Sequence, residues 1–156
     1  MVSLKKVERI ADEVRDEAEE ELGPEFDENE CLGGYCWKFS KKLAKRLRMA
    51  GIPARQVVGI WHDQSNEEDT RELFESRIVT RGQRLRDLWE EGWDHAWVEL
   101  ENGTIVDITG DQYFDDRGYA YPPVQILPPR GAKVERARYW PWRKGAISVK
   151  KYRRQA

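Results

Sequence analysis

Two cysteines and two histidines are the only residues in this 156-residue chain from which a thiol–imidazole couple can be built. A thiolate is the nucleophile of acyl transfer. It forms near neutral pH when an imidazole takes the thiol proton and a helix N-terminus stabilises the negative sulfur. Cys36 meets the helix condition: Cys36, Phe39, Ser40, Leu43, Leu47 and Ala50 follow the i, i+3, i+4 rhythm, and Gly51 with Pro53 ends the run. Gly33 and Gly34 just before it let backbone approach a substrate and leave N–H groups for a developing oxyanion. His95 is the matching base, since His62 lies at the end of a strand-like run.

An imidazole base needs a third group to fix its tautomer, and Asp107 is the candidate. The segment DHAWVELENGTIVDIT reads as a β-hairpin around Asn102-Gly103. Side chains alternate faces along a strand, so the loop length decides whether the pair can form. A two-residue turn sets Val98 opposite Asp107 and places His95 and Asp107 on opposite faces. A three-residue loop, Glu101 to Gly103 with Gly103 left-handed, sets Trp97 opposite Asp107. The two residues are then diagonal neighbours on one face, at roughly 5 to 8 Å between backbones. A catalytic role therefore requires the odd-length loop.

These residues need elements to hold them. Leu4, Val7, Ile10, Ala11, Val14 and Ala18 predict an amphipathic helix stopped at Gly23-Pro24, followed by a polar connection, PEFDENE. Ala54 to Trp61 predicts a strand. A charged excursion from Asp63 to Glu91 follows, read as a solvated face, with a lid over the substrate groove as the sharper alternative. After the hairpin the chain reads as loop up to a basic end. Cys31 is expected to pack rather than to form a regulatory disulfide with Cys36. Asn29 and Gln112 are candidate side-chain oxyanion donors beside the backbone N–H of Cys36.

The order of Cys36, GIPAR (51–55), HAWVEL (95–100) and Asp107-Ile-Thr resembles the core of the transglutaminase-like superfamily, papain-type thiol enzymes, over roughly Gly33 to Thr109. The resemblance, to a small prokaryotic or viral member, implies an α+β fold with a nucleophile helix packed on an antiparallel β-sheet. It implies Cys36 as nucleophile, His95 as general base and acid, and Asp107 as the group orienting His95, with no cofactor and no metal. One departure is Ile108, where the family commonly has proline. The chain is small beside the protein-crosslinking transglutaminases with their extra domains and calcium sites. The implied activity is thus a cysteine peptidase or amide hydrolase acting on a peptide or protein amide. An amine-accepting transglutaminase and a non-catalytic binding module of the same fold are the alternatives.

Composition bounds this reading. A chain that is 39% hydrophobic with 17 aromatics is not disordered, and its length suits one domain. The two cysteines are too few for a disulfide framework, and no stretch approaches the ~20 apolar residues of a membrane helix. The N-terminus lacks the apolar core of a secretory signal, so a cytoplasmic, non-membrane protein is expected. Net charge is only −2, but Arg130 to Ala156 holds ten basic residues and one acid, leaving 17 basic and 28 acidic in the first 129. Residues 1–129 are accordingly read as the catalytic domain and 130–156 as a basic aromatic segment packed on it. Nucleic-acid binding through that segment, with Tyr139, Trp140, Trp142 and Tyr152 among its cations, is the less favoured reading.

Overall fold

Ser3 opens the first helix, α1 (Leu4–Leu22), in the computed structural model by accepting the backbone N–H of Lys6. The structure describes residues 3–29, 34–61, 94–115 and 117–141. Val7, Ile10, Ala11, Val14 and Ala18 form the buried stripe of α1, which ends at Gly23. The expected polar connection is instead a short helix, α2 (Pro24–Asn29). Proline is a helix stop for the segment before it, but at a first helical position its fixed φ starts the next one. Cys36 opens α3 (Cys36–Met49), whose Phe39, Leu43, Ala44 and Leu47 face α1 in one apolar cluster. Burying each of Phe39, Leu43 and Leu47 contributes about 2 kcal/mol.

Among the described residues five strands form one antiparallel sheet: β1 (Ala54–Trp61), β2 (Asp94–Leu100), β3 (Ile105–Asp107), β4 (Gln125–Leu127) and β5 (Tyr139–Pro141), in the order β4-β3-β2-β1-β5. A short helix, α4 (Lys133–Arg136), precedes β5. One sheet face, with Val98, Leu100 and Val106, packs against α1 and α3. The other, with Val57, Trp61, Trp97, Ile105, Leu127 and Tyr139, closes with Tyr113 and Ala132 into a second cluster. This is the α+β arrangement of a helix packed on an antiparallel sheet.

The β2–β3 register is the odd one: Val98 pairs with Val106 and Glu99 with Ile105. Leu100 N–H donates to Thr104 O at 2.9 Å, which leaves a three-residue loop. Gly103 sits there at φ +89°, a conformation that favours glycine, and Asn102 Oδ1 accepts the Thr104 N–H. His95 and Asp107 therefore share a face.

β4 and β5 were not expected from the sequence. Each is three residues long, too short to show alternation, and prolines flank β4 and end β5. Both are edge strands, where proline is tolerated. Through β5, residues 139–141 of the segment separated at 130 are part of the sheet. The excursion at 63–91, with its alternative role as a lid, and residues 142–156 lie outside the described residues, as do Cys31, Gly33 and His62. Among the described residues no helix is long and apolar enough to cross a membrane.

Candidate functional site

Cys36 is held by the first turn of α3, which is fixed from two sides. Gln56 on β1 donates to Trp37 O and to Ser40 Oγ, both at 2.8 Å. The Trp37 indole N–H donates to Asp94 Oδ2 at 3.2 Å, tying the helix start to the residue before His95. Cys36 is 4% exposed and His95 fully buried.

His95 is fixed at both ring nitrogens. Nε2 lies 2.7 Å from Asp107 Oδ2, and Nδ1 lies 3.1 Å from the Gln112 side-chain nitrogen. A neutral ring protonated at Nε2 donates to the carboxylate and accepts from the Gln112 amide; in a doubly protonated ring Nδ1 is itself a donor and no longer bonds to the amide nitrogen. Aromatic rings limit its movement: Tyr113 meets it edge-on at 5.1 Å, and Trp97 lies nearly parallel at 5.8 Å.

The Asp107 carboxylate accepts at both oxygens. Oδ1 takes the Thr109 N–H at 2.9 Å and the Thr109 hydroxyl at 3.3 Å, while Oδ2 takes His95 and the Tyr139 hydroxyl at 2.8 Å. Burial alone pushes the Asp107 pKa up, but the His95 charge and these donors outweigh it and hold it below the usual carboxylate range. Burial likewise pushes His95 down. The Asp107 charge and hydrogen bond, joined by the nearby Cys36 sulfur, reverse this and raise His95 to about 10. The site thus favours an imidazolium between a carboxylate and a sulfur.

The turn after Asp107 is anchored to α1. Arg15 donates to both Asp111 oxygens at 2.8 and 2.7 Å, and to Ile108 O at 2.8 Å. This buried bidentate pair fixes the turn that carries Thr109 and Gln112.

Of the residues singled out in the sequence, Cys36, His95, Asp107 and Gln112 come together. Cys31 and Gly33, and the side chain of Asn29, lie outside the described residues. Sequence reasoning missed Trp37 and Asp94, each next to a site residue in the chain and findable by that adjacency. It also missed Gln56, Thr109, the Arg15–Asp111 pair and Tyr139. Tyr139 is 32 residues from Asp107 and carries no local signal.

A helix-opening thiol, an antiparallel sheet and a carboxylate-held imidazole define a papain-like α+β core. The chain belongs to the transglutaminase-like superfamily, whose family model matches residues 2–119. The match extends beyond the motif region, taking in α1 and the Asp111–Gln112 turn. Comparison with curated proteins found no match, nor did comparison with solved structures.

Proposed function

We propose that this protein is a thiol-dependent acyl-transfer enzyme that hydrolyses a peptide or side-chain amide through a thioester. The observation that carries the reading is the buried His95, held at Nε2 by Asp107 2.7 Å away, with the helix-opening Cys36 close enough to act on its charge. With Nε2 committed to the carboxylate, Nδ1 is the nitrogen that exchanges protons with the sulfur and the substrate.

In this scheme Nδ1 takes the Cys36 thiol proton and the sulfur attacks the amide carbonyl carbon. The carbonyl π electrons move onto oxygen, which the Cys36 backbone N–H stabilises because a first helical N–H has no intrahelical acceptor. Gln112, beside Nδ1, adds a side-chain donor. When the carbonyl re-forms, the C–N bond breaks and the leaving amine takes the proton from Nδ1. Water then attacks the thioester while giving a proton to Nδ1. The C–S bond breaks, and the returning proton restores the thiol.

Incubating the chain with a peptide library and trapping the intermediate tests this. A thioester adduct mapped to Cys36 is expected, lost in Cys36→Ala and strongly reduced in His95→Ala. Folded protein that never acylates at Cys36, and whose Cys36 is not alkylated by iodoacetamide at about pH 6, refutes it. Product analysis separates hydrolysis from transfer to an amine.

A further inference from the structure

Among the described residues, Tyr139 is the one donor to Asp107 supplied from outside the family-matched residues 2–119. Its hydroxyl meets Oδ2, the same oxygen that holds His95, and its ring packs edge-to-face on Trp97 at 5.0 Å. β5 brings it there by pairing with β1, Tyr139 against Trp61 and Pro141 against Gly59. That approach is close: a Cβ on Gly59 would lie 2.1 Å from Trp140 O and 2.7 Å from Pro141 Cα. The lack of a side chain at Gly59 is therefore a condition for the Tyr139 contact.

We propose that Tyr139 is a positioning residue for the Cys36–His95–Asp107 centre, setting both the direction and the strength with which the Asp107 carboxylate holds the imidazole. This inference rests on the acyl-transfer reading above. The direction follows from the distribution of donors. Thr109 fixes Oδ1, and two donors on Oδ2 fix the other end, so the carboxylate cannot tilt away from Nε2 without breaking a hydrogen bond. The strength follows from competition, since a second donor on Oδ2 withdraws charge from the first and moderates the basicity of His95. Burial and the neighbouring Asp107 push the Tyr139 pKa well above its ordinary value, so the phenol stays protonated and donating across the working range. Phenylalanine would fill the same space without making this bond. The hydroxyl, not the ring, carries the role.

The test is the pH profile of Cys36 alkylation by iodoacetamide, with adducts mapped to Cys36 by mass. The 156-residue parent chain and Tyr139→Phe are compared, both in a Cys31→Ser background. The upper inflection reports loss of the His95 proton. Freed from competition, the carboxylate holds imidazolium more tightly, so Tyr139→Phe is expected to move this inflection upward by about half a unit to one unit. Replacing Tyr139 by 3-fluorotyrosine, a stronger donor of nearly the same shape, should move it downward, and this variant decides the matter if Tyr139→Phe does not fold. Variant profiles that superimpose on the parent, or shift in the opposite sense, overturn the role of Tyr139, even with a lowered melting temperature. A parent with no imidazolium-dependent inflection overturns the acyl-transfer reading itself, and this inference with it.

Discussion

Replacing Asp107 by asparagine is the sharpest probe of the site, because the surroundings dictate how the amide must lie. Thr109 presents an N–H to one end of the group, so that end must be the amide oxygen. The amide nitrogen then faces His95 Nε2 and donates to it, which forces the remaining proton onto Nδ1. A ring protonated at Nδ1 cannot take the thiol proton. The charge is lost as well. The rise of His95 from 6.5 to about 10 corresponds to about 5 kcal/mol of preference for imidazolium, for which the Asp107 charge is the largest favourable cause. Asp107→Asn is therefore expected to lower acyl transfer by about 10³- to 10⁴-fold, the range for a wrong-tautomer triad. Nitrogen-resolved NMR of the imidazole should show Nε2 unprotonated near neutral pH. Acyl transfer and Cys36 alkylation at about pH 6 that match the wild type, in a folded variant, would refute the reasoning.

Arg15→Met should destabilise the fold by about 3–5 kcal/mol in chemical denaturation, because it leaves the Asp111 carboxylate buried without its partner. Adding Asp111→Leu should restore much of that loss. Gly59→Ala should displace β5 from β1, raise hydrogen exchange at residues 139–141, and move the alkylation inflection in the same sense as Tyr139→Phe. The stability–pH curve should reflect the buried pair with opposite signs on its two sides. The raised His95 pKa stabilises fully below about 6.5, and that contribution is gone once pH has risen through about 10. The lowered Asp107 pKa stabilises above about 3.8, and its contribution is lost as pH falls below that. Thermal melts should show both flanks, and Asp107→Asn should flatten them.

The elements that carry the candidate site were legible in the sequence because their information is local. The helical rhythm from Cys36 and the strand Ala54–Trp61 are periodic over several residues, and burial follows the period. The hairpin was legible to the point that its loop length became a condition, since a one-residue change in register reverses the face of every side chain. Gly103 at positive φ and the Val98–Val106 pairing meet that condition. What surrounds the carboxylate was decided only in three dimensions. Tyr139 and Arg15 reach the segment following β2 across separations of 32 and 96 residues, through strand pairing and helix docking that no local pattern encodes. β4 and β5 are too short to announce themselves, and their stability comes from the neighbours they pair with. Residue types and local periodicity thus fix which groups are available for chemistry. The charge each one holds depends on which donors and charges packing brings beside it, and that is a property of the folded chain.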